Sequence, residues 1–193
     1  MTWQRGPVEA LGMIEVEGVA GIVLAADAAC KAASVRLLGW ESIGGFTTLF
    51  FAGSVADVAA SLKRGEAAAR EVVEKVVTAA INQPEAVCQR QFAFPCAGQA
   101  PPRQSAMGLI ETRGYGVQVD ANDRMVKAAE VEVVNVMTVH NRVVCTVIEG
   151  PIGAVREAID TARQVLADYE HFLAAAVLPQ PAPEVLHLFG RRS

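Results

Sequence analysis

The sequence predicts an α+β chain made of two tandem copies of one small domain, each with an antiparallel sheet. Two observations carry that expectation. First, near-identical words recur at a fixed spacing. Ala10-Leu-Gly-Met-Ile-Glu15 returns as Ala106-Met-Gly-Leu-Ile-Glu111, and Asp27-Ala-Ala-Cys-Lys31-Ala-Ala returns as Asp123-Arg-Met-Val-Lys127-Ala-Ala. The offset is 96 in both cases (106 − 10 and 123 − 27). A period this long, used twice, is a domain duplication; solenoids stack many short units. Second, both copies present the same order of elements.

Each copy opens with a strand, Ala10–Glu15 and Ala106–Glu111, that runs into Gly18 or Gly114, residues suited to an unusual turn. An alanine-rich helix follows, about Val19–Ala33 and Tyr115–Ala129. Asp27 and Lys31 lie four residues apart on one face of it, and Asp123 and Lys127 repeat the spacing. The second strands are Val35–Glu41 and Val131–Met137; four valines make the latter strongly β-prone. The third are Thr47–Ala52 and Val143–Glu149. Here the offset becomes 97, because Gly53 matches Gly150, so the second loop carries one inserted residue.

Ser54, with Asp57 three residues on, reads as a weak capping box, and Pro151 fits a first helical turn. These start helices at about Val55–Val72 and Ile152–Tyr169. Fourth strands, Val73–Ile81 and Phe172–Leu178, and short helices after proline, Pro84–Gln91 and Pro183–Phe189, complete each copy. The order β-α-β-β-α-β is the ferredoxin-like split β-α-β plan. The Pro/Gly-rich stretch Pro95–Gln104 reads as a connector. The chain therefore divides into a first domain at 1–97, a linker at 98–104 and a second domain at 105–193.

Composition limits the function. Apolar residues make up 52% and charged residues 20%, and in domains of about 90 residues such an excess points to buried subunit contacts. The net charge of −4 argues against nucleic-acid binding, which favours a basic stripe. No apolar stretch approaches the ~18 residues of a membrane-spanning helix. The first residues lack the apolar core of a signal peptide, so the cytoplasm is the expected compartment. Cys30, Cys88, Cys96 and Cys145 have no metal-ligand spacing and read as reduced thiols.

Catalysis has little support. Glu15 and Glu111 end matching strands, and a carboxylate pair can do acid–base work. They fall in separate copies with no nucleophile or histidine in pattern, so a structural role is expected and no catalytic residue is assigned. His140, His171 and His187 have no ligand spacing, so no metal and no cofactor are expected.

Several words resemble the bacterial microcompartment (BMC) shell-protein family: Ala-Leu-Gly-Met-Ile-Glu at 10–15, Ala-Asp-Ala-Ala-Cys-Lys-Ala-Ala at 26–33 and Gly-Trp-Glu-Ser-Ile-Gly-Gly at 39–45. The resemblance covers about Val8–Phe94 and Ser105–Phe189 and is in the unpermuted element order. It implies a structural, non-enzymatic protein of the tandem, trimer-forming class. Three chains make a flat pseudohexamer that tiles a shell facet beside other shell proteins, inside the cytoplasm and away from membranes. It implies that Lys31 and Lys127, oriented by Asp27 and Asp123, lie at the tile edge. The family's edge arginine has no match at Asn82-Gln83-Pro84 or Pro179-Gln180-Pro181.

The resemblance also places the loops between second and third strands at a central pore. These are Ser42, Ile43, Gly44, Gly45 and Phe46 in one copy, and Thr138, Val139, His140, Asn141 and Arg142 in the other. Alternating around the axis, they mix neutral donors with His140 and Arg142 and should favour polar or anionic small metabolites over cations. Two other readings of the same residues stand beside this one. One is a ligand-binding regulatory module of ferredoxin-like fold. The other is an electron-relay shell protein with a metal at the pore.

Overall fold

The computed structural model describes residues 8–84, 105–114, 116–140 and 142–190, with backbone alone at 116 and 117. The first copy comprises β1 (Ala10–Glu17), α1 (Ala20–Ala32), β2 (Arg36–Ile43), β3 (Phe46–Gly53), α2 (Val55–Ala69) and β4 (Val76–Asn82). The second comprises β5 (Ala106–Arg113), α3 (Gly116–Ala128), β6 (Glu132–Val139), β7 (Val143–Gly150), α4 (Ile152–Leu166), β8 (Phe172–Leu178) and α5 (Pro183–Phe189). The expected helix at Pro84–Gln91, the linker, Cys88 and Cys96 lie outside the described residues.

Each copy forms one four-stranded antiparallel sheet, ordered β2-β3-β1-β4 and β6-β7-β5-β8. The registers match across the duplication. Ala10 faces Gly53 and Glu17 faces Phe46; Ala106 faces Gly150 and Arg113 faces Val143. Even the bulge recurs, between Leu37 and Gly39 and between Val133 and Asn135. Both copies are therefore α+β with the expected strand order, and the repeated words mark equivalent places in space.

Several boundaries differ from expectation by one to three residues, among them the end of α4, at Leu166 rather than Tyr169. α2 stops at Ala69 and β4 starts at Val76, so 70–75 is a turn. Arg70 explains it: its guanidinium donates to the carbonyls of Glu74 (3.1 Å) and Val76 (3.4 Å), which closes a loop where a periodic apolar run suggested a strand. The Ser54 cap is as expected, with its hydroxyl accepting from the Asp57 N–H at 3.1 Å.

Strand alternation sorts the sheet residues into two faces. In copy two, Ala106, Ile110 and Ile148 pack under α3 and α4 with Met125, Val155 and Ile159. The intervening Met107, Leu109, Cys145 and Val147 face the other way and join Val19, Ile22 and Val23 from the first copy. α1 is therefore held between its own sheet and the back of the second copy's sheet. Trp40 of β2 stacks on Phe189 of α5 at 6.2 Å, closing the same junction. Each fully buried Ile, Leu or Met there contributes about 1.5–3 kcal/mol, which joins the two copies through a shared core.

Candidate functional site

The two strand-connecting loops are built differently. Gly44 (φ 60) and Gly45 (φ 92) make a two-residue hairpin in which both residues are left-handed, a turn that glycine pairs favour. Ser42 donates to the Phe46 carbonyl at 3.1 Å across its base. The second loop is one residue longer, and Arg142 takes the left-handed conformation (φ 67) despite its side chain. Each loop is stapled to the turn after its first strand: Gly18 N–H donates to Gly45 O at 3.0 Å, and Gly114 N–H to Arg142 O at 2.7 Å.

Ile43, Gly44 and Phe46 are exposed at the first tip, and Thr138, His140 and Arg142 at the second. Val139 is placed otherwise. Its side chain is buried in the core shared by the copies, as is that of Val143. Strand alternation turns Val139 inward, so it anchors its hairpin. Asn141 lies outside the described residues.

The junction between copies has a polar centre that the spacing of residues did not disclose. Glu111, almost wholly buried, accepts hydrogen bonds from Val19 N–H at 2.7 Å and Ala20 N–H at 3.0 Å. It thus caps the N-terminus of α1 from across the junction, with its charge at the positive end of the helix dipole. Gly18 (φ +82) makes room: a Cβ there would lie 2.5 Å from a Glu111 carboxylate oxygen. Burial pushes the Glu111 carboxyl up to about 7; the two N–H groups oppose that shift, and Glu17 nearby adds to it. Beside it, Arg113 Nη2 meets Glu17 Oε1 at 2.8 Å. The two glutamates read as a failed catalytic pair are thus a cap at 111 and, at 15, a half-buried carboxylate accepting from Thr48 Oγ1 at 2.7 Å.

Lys31 and Lys127 form the expected i,i+4 pairs on α1 and α3. Lys31 Nζ lies 2.6 Å from Asp27, and Lys127 pairs with Asp123 in the same way. Asp27 also accepts from Ala182 N–H at 2.7 Å, which ties α1 to the start of α5. Burial drives the Cys30 thiol up to about 12, with Glu184 and Asp27 adding to it, and burial raises Cys145 too. Both are therefore neutral thiols without nucleophilic character.

The junction also leaves its mirror image open. The chain uses the helix side of copy one and the sheet side of copy two. Val23 on α1 is fully buried, while its counterpart Val119 on α3 is 59% exposed. Val139 and Val143 are 8% and 1% exposed, while their counterparts Ile43 and Phe46 are 78% and 45% exposed.

Comparison with known proteins agrees with this geometry. The BMC domain family model matches twice, at residues 10–84 and 106–181. The carboxysome assembly protein CcmO of Synechococcus elongatus (strain ATCC 33912 / PCC 7942 / FACHB-805) is 27% identical over 185 residues, covering 92% of this chain and 67% of that one. The bacterial microcompartment shell protein PduA of Citrobacter freundii is 44% identical over 77 residues, 39% of this chain and 83% of its own. The shell protein EutM of Escherichia coli (strain K12) is 37% identical over 94 residues, 48% of this chain and 97% of its own. The chain spans about two thirds of the tandem relative's length, and the two shorter relatives are each the size of one copy. The chain belongs to the BMC domain family: it is a structural shell protein of bacterial microcompartments and not an enzyme.

Proposed function

We propose that three chains close head to tail into a pseudohexameric tile with a pore on its axis. One observation carries the reading. The junction between the copies joins two different surfaces, the helix side of one copy and the sheet side of the next. A heterologous contact leaves one half of itself unused at each end of the chain, so it propagates until a ring closes. The near-equivalence of the copies makes each chain two steps around that ring. Light scattering tests the claim: a mass of three chains is expected, and a monomer at tens of micromolar would sink it.

In that ring the two hairpins alternate around the axis. Exposed His140 and Arg142, with Ser42 and backbone amides, give a rim that favours polar or anionic small metabolites over cations. Replacing Arg142 with Glu should invert the charge preference of solute flux through assembled shells. Unchanged preference would remove the rim from the selectivity account.

Lateral tiling rests on Lys31 and Lys127. Their long stems lie along the helix and their heads are held by Asp27 and Asp123. The partners at this edge are other tiles of the shell. Lys31→Ala with Lys127→Ala should suppress sheets seen by electron microscopy and leave the trimer mass intact.

A further inference from the structure

We infer that, in the ring proposed above, Glu17 and Arg113 form an alternating charge lock and Glu15 of one chain caps α3 of the next, which makes a second copy of this chain the preferred partner. The inference rests on the trimer reading and adds residues to it.

Four observations converge. The helix side of copy two and the sheet side of copy one are the unused counterparts of a contact already made within the chain. On the sheet side Leu11, Leu38, Phe50 and Ala52 are already covered within the chain, so the open part is its hairpin end; there Ile43 and Phe46 are exposed where their equivalents are buried, as is Val119 on the helix side. The cradle is duplicated as well. Gly114 has the left-handed conformation of Gly18 (φ +98 against +82), yet among the described residues the space over it holds the end of the Arg142 side chain, where Gly18 has the Glu111 carboxylate. Glu15, the counterpart of Glu111, stands half-buried on the matching sheet face with one acceptor bond, from Thr48. Docking a second chain in the internal geometry brings Glu15 of that chain over Gly114 and onto the N-terminus of α3. There it does what Glu111 does for α1.

The charge pair gives this arrangement its selectivity. Glu17 and Arg113 occupy the same position in the two copies (113 − 17 = 96). Within the chain, Arg113 stands on the sheet side and Glu17 on the helix side, 2.8 Å apart. Between chains the roles exchange, with Glu17 on the sheet side and Arg113 on the helix side, so opposite charges meet again at every junction. Arg113 has donors to spare, because its Nε has no hydrogen-bond partner among the described residues. A ring that set copy one against copy one would put Glu17 against Glu17, and copy two against copy two would put Arg113 against Arg113. Like charges across an interface discriminate more than opposite charges bind. A single-copy protein has one residue at both places and has no access to such a lock.

A dilution series of the full chain by light scattering tests the inference. Among the described residues the Glu15 carboxylate has its hydrogen bond to Thr48, within its own sheet, so Glu15→Ala spares the internal junction. It should raise the concentration of half-dissociation of the trimer at least about tenfold, the loss expected from charge-assisted bonds worth ~1.5 kcal/mol or more. Glu15→Gln, which keeps an acceptor, should lose less. Glu17→Arg and Arg113→Glu should each weaken the trimer about as much, and the double exchange should recover it to within about threefold. A native chain that never forms a trimer would defeat the trimer reading itself. A native trimer that Glu15→Ala leaves within about twofold overturns the exchanged contact and leaves the trimer standing, even where the charge-reversed chains fail to fold. A double exchange no tighter than the single ones overturns the charge lock.

Discussion

The two copies share a fold but seat their first helices in opposite ways. In copy one, α1 rests on apolar side chains: Ile22 and Ala26 meet Val16 and Leu49, all fully or nearly fully buried. At the same places copy two has Gln118, Asn122, Thr112 and Thr146. Gln118 Nε2 donates to Thr146 Oγ1 at 2.8 Å and lies 3.1 Å from Ile110 O, Thr112 Oγ1 donates to Gln118 Oε1 at 2.8 Å, and Asn122 Nδ2 donates to Thr146 Oγ1 at 3.0 Å. The helix clamped on both sides by its own chain is built dry. The helix with an open outer face is held by directional bonds, which fix its register without a second wall.

The largest way to break the comparison is a charge at the paired valines. Val23→Asp puts an unpaired carboxylate into the shared core and should cost more than about 4 kcal/mol, enough to unfold the chain in a urea titration. Val119→Asp, on the open face, should shift that titration by less than about 0.5 kcal/mol.

Next in size is the capping pair. Glu111→Ala leaves two buried N–H groups without an acceptor and should cost about 2 kcal/mol of chain stability, whereas Glu15→Ala should cost under about 0.5 kcal/mol to the dissociated chain. The same glutamate gives a pH signature. Its folded value of about 7 lies above the ordinary 4.5, so the folded chain holds a proton that the unfolded chain has released. Stability should be greatest, from this group, below about 4.5, fall as pH rises towards 7, and level off above. Glu111→Gln should flatten that slope in urea midpoints measured from pH 4.5 to 8.

The polar seat comes third. Gln118→Leu alone removes the bonds to Thr112, Thr146 and the Ile110 carbonyl and should cost about 1–2 kcal/mol. Changing Gln118, Asn122, Thr112 and Thr146 together to their copy-one equivalents should recover most of it, because removing both partners avoids a buried unpaired group. Thermal unfolding by circular dichroism reads the non-additivity. Smallest are the exposed pairs: Lys31→Ala and Lys127→Ala should each change stability by no more than about 0.5 kcal/mol.

Much of this was legible because the chain repeats itself. Ala-x-Gly-x-Ile-Glu and Asp-x-x-x-Lys-Ala-Ala pinned the strand and helix twice, so strand order and hairpin positions followed. The helix ends were less legible, because a side-chain bond from Arg70 decides where 70–75 turns. The role of Glu111 was hidden for a different reason: it acts on a helix 91 residues away, and which copy lies on which is a packing outcome. Val139 looked like a loop residue by position, yet alternation buries it. The seat of α3 was missed because Gln118 and Asn122 on a helix read as a solvated face. A clue was present: Thr112 and Thr146 break otherwise apolar strands on the side that faces that helix.

The hairpin tips share a left-handed dihedral but differ in length and in the residue that carries it. At Gly44 a Cβ would meet nothing within 4 Å, so a backbone dihedral, rather than lack of space, keeps a side chain out. A D-amino acid introduced there by chemical ligation would fit without strain, and Asn or Asp would be the mildest natural replacements. Arg142 already accepts that dihedral with an L side chain, at a cost of about 1 kcal/mol. One tip is a blank position open to chemistry, and the other holds its guanidinium under standing backbone tension.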